Sequence, residues 1–309
     1  MRKKVSDRQV CLATSIKSAY CSRGFSLASR LPNANEKRLS WKEVGNEIAK
    51  FMSKPSLVLV HGSWHCPQHF ELVTPILEGH GYHTVPVSLP STQSHDSPPK
   101  DLADDTAAVR SAVLSELDHE KDVVVIAHSY GGCVANNALS NLDAKSRASE
   151  GKTTKVLAII FLCAFPIPAG TTFAQAAGIG PDRSHPMLEY KYSPDFADVA
   201  APGPGYWFYH DLPPAQAEKY TALLKSQACR PWEQKTGYAA YLDLPAWYLL
   251  CAQDQAFNVK GQEVVVESLR REGAVVRTGR VEAGHSPFLS RPVETAGFIV
   301  GAAEDASRG

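Results

Sequence analysis

The run Val123-Val124-Val125-Ile126-Ala127-His128-Ser129-Tyr130-Gly131-Gly132 decides the fold. It begins as five apolar residues, mostly β-branched, the length of a fully buried parallel strand. Two glycines end it, and Cys133-Val134-Ala135-Asn136-Asn137-Ala138-Leu139 continues at helical spacing. A serine between a buried strand and a helix, with small residues two positions to either side, has the pattern of a nucleophile elbow. Such a turn is so tight that Ala127 and Gly131 must be small. It holds the Ser129 hydroxyl above the sheet and aims the Tyr130 N–H and the helix start at the same point. The plainer alternative is a serine that only caps a helix. The strand before Ser129 and the helix after it favour the nucleophile.

Outward from this stretch, the same alternation recurs. Ser56-Leu57-Val58-Leu59-Val60 reads as the first buried strand and runs into His61-Gly62-Ser63-Trp64-His65. Phe70, Leu72, Val73, Ile76 and Leu77 have helical spacing, and Tyr82 to Leu89 is the next strand. A polar, proline-rich loop covers residues 90–99. Asp101 to Leu117 is a second helix, and the helix after the elbow extends to about Leu142. Asp143 to Lys152 reads as a charged, flexible connection and Lys155 to Phe165 as a further buried strand. The rhythm then breaks. Residues 166–243 are rich in proline and aromatics, with only Pro214 to Ala228 at regular helical spacing, and read as an inserted cap. Alternation resumes with a strand at Ala246 to Cys251, a helix over Lys260 to Arg271, a strand at Ala274 to Arg280 and a last helix from Pro292. The expected fold class is α/β, a mostly parallel, doubly wound sheet with helices on both faces.

Composition narrows the function class. The 309 residues carry 32 basic and 32 acidic side chains, so nothing favours nucleic acid as a partner. The longest apolar run, Val156 to Phe165, is cut by Pro166 and is too short to cross a bilayer. Seven cysteines, Cys11, Cys21, Cys66, Cys133, Cys163, Cys229 and Cys251, are scattered without a C-x-x-C pair. That pattern points to reduced thiols in an intracellular protein, with Cys133, Cys163 and Cys251 filling core. Residues 1–34 are basic and serine-rich, with Asp7 the single acid. They resemble a mitochondrial transit peptide, and a disordered extension or an unnatural start is the alternative. The expected location is therefore cytoplasmic, or mitochondrial if that segment directs it there. Ser40 and Glu43 have capping-box spacing before the apolar stripe Trp41, Val44, Ile48 and Phe51, a short helix over residues 40–51. Residues 1–51 are thus an extension, and 52–309 the main domain with its cap.

In a doubly wound sheet the reactive crevice lies at the carboxyl ends of the strands. The residues just beyond those ends include His61-Gly62-Ser63-Trp64, Ser129, Asp254 and His285. A serine hydroxyl needs a neighbouring imidazole to take its proton. The imidazole needs a carboxylate on its other nitrogen to fix its tautomer and to stabilise the cation. His285, behind Gly284 after the last strand, fits the base; Asp254 fits the acid, or else caps the following helix. Asp243 is a rival acid but precedes its strand. His128 abuts Ser129, yet neighbouring side chains at a sharp elbow diverge. His61, His65 and His69 are spaced by four, as metal ligands on one helix would be, but Gly62 and Pro67 interrupt any such helix. His61-Gly62 reads instead as a turn at a strand end. The N–H of Ser63 or Trp64 would then join that of Tyr130 in an oxyanion hole.

These residues resemble the α/β-hydrolase superfamily, and within it the small esterase-like branch of methyl-salicylate-type esterases and plant hydroxynitrile lyases. The likeness rests on Val58 to His65, Ala127 to Gly132 and Ala283-Gly284-His285-Ser286-Pro287-Phe288, and covers about residues 55–303. It implies a Ser129, Asp254, His285 triad, with Ser63 or Trp64 and Tyr130 as oxyanion donors, and no cofactor. Hydroxynitrile lyases carry lysine directly after the catalytic histidine; Ser286 stands there, which disfavours lyase chemistry. Serine at the elbow excludes the aspartyl-ester route of epoxide hydrolases and dehalogenases. The leading expectation is a serine hydrolase acting on a small-molecule ester or lactone, apolar or aromatic in character. Cleavage of a carbon–carbon bond, or tailoring of a polyketide-like metabolite, is one alternative, and a slow-turnover ligand receptor on the same fold is another.

Overall fold

The computed structural model describes residues 54–308, apart from 94, 96, 97 and 186–188. The expected extension and its helix over 40–51 lie outside the described residues. In chain order the first elements are β1 (Ser56–Val60), α1 (Thr74–Gly79), β2 (Thr84–Val87), the two-residue β3 (Thr92–Gln93), α2 (Leu102–Asp118) and β4 (Val123–His128). Next come α3 (Gly131–Ala138), α4 (Ala144–Ser149) and β5 (Val156–Leu162). The inserted segment holds α5 (Phe173–Ala177), β6 (Tyr190–Tyr192), β7 (Phe196–Val199), α6 (Pro204–Tyr209), α7 (Pro214–Ala222), β8 (Ser226–Ala228) and α8 (Arg230–Glu233). The chain closes with β9 (Ala246–Cys251), α9 (Val259–Arg271), β10 (Val276–Val281), α10 (Pro287–Ser290) and α11 (Pro292–Arg308).

Six strands form one sheet in the order β10-β9-β5-β4-β1-β2, and every pairing in it is parallel. Strands β1 and β4 are buried along their whole length, as their unbroken apolar runs require when helices cover both faces. Edge strand β10 is instead buried only at its ends, with Arg277, Thr278 and Arg280 exposed between buried Val276 and Val281. The chain steps outward from β1 to β2, then returns to place β4 on the other side of β1 and continues outward through β5, β9 and β10. The strand order therefore reverses between β1 and β4. The crevice of such a sheet opens beyond the carboxyl ends at that switch point, where His61-Gly62-Ser63 and Ser129 follow their strands.

Two segments carry more regular structure than their composition suggests. Within residues 143–152, Asp143 accepts hydrogen bonds from the Lys145 and Ser146 N–H groups and so caps the short helix α4. In the insert, the expected helix from Pro214 stops at Ala222, and Ser226–Ala228 is a strand. A second, antiparallel sheet runs β3-β8-β7-β6. Its β3 comes from the proline-rich loop of the main domain, so the insert is bound to that loop by backbone pairing.

Candidate active site

Ser129 sits where β4 turns into α3, with φ at +52°. A left-handed serine is strained by roughly 1–3 kcal/mol and persists only where its surroundings impose it. Close packing imposes it here. A Cβ on Gly131 would lie 2.5 Å from the His61 carbonyl oxygen and 2.8 Å from that of Val60. One on Gly132 would lie 2.8 Å from Ala164 Cβ. One on Gly62 would lie 2.8 Å from Ser129 Cβ, so the loop after β1 passes directly against the serine. Tyr130 precedes the first helical residue of α3, where backbone N–H groups have no partner within the helix.

Three far-separated residues meet at this point. His285 Nε2 lies 3.1 Å from Ser129 Oγ, and His285 Nδ1 lies 2.8 Å from Asp254 Oδ2. All three are buried, with Ser129 the most accessible at 9 %. Asp254 faces the histidine and does not cap the following helix, whose cap is Asn258. Its Oδ1 accepts from the Ala256 and Phe257 N–H groups, which turns the loop, while Oδ2 faces the histidine. Asp243, the rival acid, is exposed and accepts the Tyr238 hydroxyl instead.

Several residues that sequence reasoning passed over hold this constellation. The Gln262 side chain donates to Asp254 Oδ2 at 3.2 Å and accepts from the Cys251 N–H. The carbonyl of His285 accepts from His128 Nε2 at 2.8 Å and from Cys163 Sγ at 3.3 Å. His128 is therefore an anchor for the neighbouring histidine, and burial together with that neighbour pushes its own pKa well down. Asp211 accepts from the Gly284 N–H at 2.6 Å. A Cβ on Gly284 would lie 2.7 Å from Asp211 Oδ1, so a larger residue there would push the Asp211 side chain aside. A buried glutamine on an amphipathic helix carries no sequence signal; the glycine before His285 was the one hint available.

The evenly spaced histidines do not converge on a common point. His61 Nε2 accepts from the Leu89 N–H, while Nδ1 donates to the Gly62 carbonyl. His65 Nε2 accepts from the Tyr209 hydroxyl, and Nδ1 donates to the Ser63 carbonyl. His69 Nδ1 accepts from the Cys66 N–H, leaving Nε2 to donate to the Tyr220 carbonyl. In each of these three rings the nitrogen without a proton accepts a hydrogen bond. Burial lowers all three pKa values, that of His61 to about 4.

Aromatic rings pack beside the histidine. Phe208 lies 5.5 Å from the His285 ring and 5.6 Å from that of Trp64, and Trp232 meets Trp64 edge-on at 5.4 Å.

A sequence model of the alpha/beta hydrolase family matches residues 57–298. The chain belongs to that family. Among curated proteins it is similar to the alpha/beta hydrolase nvfD of Aspergillus novofumigatus, 28 % identical over 82 % of this chain and 99 % of that one. Among solved structures it superposes on polyneuridine aldehyde esterase with a TM-score of 0.63 at 18 % identity, covering 81 % of this chain and 99 % of that chain. A methylesterase protein, MES16, from Arabidopsis gives 0.61 at 20 % identity over 81 % and 99 %. At such identities the superpositions speak for the fold, and they agree with the resemblance read from residues 55–303 to an esterase-like branch. Among the described residues no helix is long and apolar enough to cross a membrane.

Proposed function

We propose that this alpha/beta hydrolase is a serine hydrolase that cleaves the carboxylic ester or lactone of a small apolar or aromatic metabolite. The observation that carries this reading is the unbroken chain from Asp254 through His285 to a serine held at positive φ. Ser129 Oγ attacks the carbonyl carbon and gives its proton to His285 Nε2. The Nδ1–H of His285 stays bonded to Asp254 Oδ2, which stabilises the imidazolium. The tetrahedral oxyanion is held by the N–H of Tyr130 and that of Ser63 or Trp64. His285 then protonates the departing alkoxide, leaving an acyl group on Ser129. Water, deprotonated by His285, attacks the acyl carbon, and the acid leaves as Ser129 recovers its proton. None of these steps calls for a cofactor. The Phe208 ring beside the histidine favours an apolar or aromatic substituent, as in apolar ligand pockets generally.

A panel of aryl and alkyl esters and lactones of graded acyl length tests the reading against a Ser129→Ala control. Turnover of at least one class is expected, and the substitution should remove it by a factor on the order of 10⁴–10⁶. Equal turnover by the variant would refute the proposal.

A further inference from the structure

The insert does more than lie over the serine: it bonds to the framework of both proposed oxyanion donors. On one side is the loop after β1. The Trp232 indole N–H donates to Ser63 Oγ at 3.2 Å, and the Trp64 indole N–H donates to the Ala197 carbonyl at 2.8 Å. The Lys225 N–H donates to the Trp64 carbonyl at 2.9 Å. All three partners belong to the insert. Trp64 has φ at +64°, a conformation an aromatic residue keeps only under outside restraint.

On the other side is Tyr130, fully buried. Its hydroxyl donates to Asp105 Oδ2 at 2.8 Å. The Ser91 hydroxyl donates to the same oxygen at 2.6 Å, and the Ser91 N–H to Oδ1 at 2.8 Å. Ser91 Oγ in turn accepts from Gln227 Nε2 at 2.9 Å. Gln227 lies in β8 of the insert, and it and Asp105 have no exposed surface. A relay of buried hydrogen bonds therefore runs from the insert through Ser91 and Asp105 to the residue directly after the nucleophile. Buried polar networks of this kind hold one geometry when every member is satisfied.

We propose that the cap is a working part of the oxyanion hole: Trp232 and Gln227 are positioning residues that hold the Ser63–Trp64 and Tyr130 backbone N–H groups on the developing oxyanion. The proposal rests on the serine-hydrolase reading. Because these bonds act on transition-state donors and not on the ground-state substrate, loosening them lowers kcat and leaves KM in place.

The test uses the full chain, an ester that the wild type turns over, and an aryl trifluoromethyl ketone. Ser129 adds to the ketone, and the resulting hemiketal oxyanion occupies the hole. Trp232→Phe keeps the ring and removes the N–H; Gln227→Leu keeps the bulk and cuts the relay. Trp207→Phe makes the same chemical change within the insert, at an indole whose buried N–H has no partner among the described residues. Trp232→Phe and Gln227→Leu should each lower kcat about ten-fold, keep KM within about two-fold, and weaken the ketone by the same factor as kcat. Trp207→Phe should leave all three values within about two-fold, as expected where no hydrogen bond is lost. A loss confined to KM, an unchanged ketone affinity, or an equal loss in Trp207→Phe would overturn the proposal. Should Gln227→Leu fail to fold, Trp232→Phe decides by itself. A wild type that neither turns over esters nor forms the ketone adduct would instead refute the hydrolase reading beneath it.

Discussion

At the scale of single residues, the elbow is a steric problem solved by two glycines and a strained serine. The oxygen atoms that face Gly131 belong to the backbone of Val60 and His61 in the neighbouring strand and loop. They cannot rotate away as a side chain could. Gly131→Ala should therefore cost about 2–3 kcal/mol, in the range of core overpacking. In a chain of this size that lowers the melting temperature by about 3–5 °C. Gly79→Ala is the matched control: its added Cβ meets nothing within 4 Å, and the melt should stay where it is. A Gly131→Ala protein that melts with the wild type would show that the turn tolerates a side chain. Ser129, Asp254 and His285 were readable in the sequence because each follows a strand and has a chemistry suited to its place. Their supports were not. His128, Gln262 and Asp105 are polar residues whose roles depend on what faces them across the fold, and no spacing rule reports that.

At the scale of elements, the parallel strands were legible because burial on both faces leaves apolar runs with no polar interruption. Ser56–Val60 and Ala246–Cys251 match the sequence reading to the residue. Helix α3 ends at Ala138, short of the expected Leu142, although Leu139 and Leu142 remain buried. Apolar spacing there reports packing of the chain after the helix as well as the helix itself. The insert was least legible. Its strands β6, β7 and β8 have three or four residues each, too short for a period to register. Their pairing is nonlocal, with β8 joined to β3, which lies more than a hundred residues earlier. That pairing ties residues 226–228 to the loop bearing Ser91.

At the scale of the whole molecule, the fold buries an unusual concentration of imidazole. His65 lies 4.6 Å from His69 and 5.4 Å from His128, which lies 4.7 Å from His285. Burial lowers the pKa values of His61, His65, His69 and His128, so each favours the folded state above the ordinary histidine pKa and ceases to as pH falls. For His61, lowered to about 4, acidification from pH 7 to pH 5 removes about 2 kcal/mol. Asp105 acts in the opposite sense. Burial raises its pKa to about 6, so it takes up a proton on acidification and returns about 1 kcal/mol. His61 alone outweighs it, and three more histidines act in the same direction. Scanning calorimetry should show the melting temperature falling steadily from pH 7 to pH 5. A flat or rising curve would contradict the burial of neutral imidazoles.

The sheet itself gathers the site. With the strand order reversing between β1 and β4, the loop that bears Ser63 and Trp64 meets the elbow that bears Ser129, and the loops after β9 and β10 bring Asp254 and His285 to the same rim. Intact-protein mass spectrometry after treatment with a fluorophosphonate tests most directly whether these side chains work as one unit. The wild type should gain a single phosphonyl group that maps to Ser129, and His285→Ala, folded but lacking the base, should gain none. An adduct on another residue, or equal labelling of the two proteins, would contradict the account.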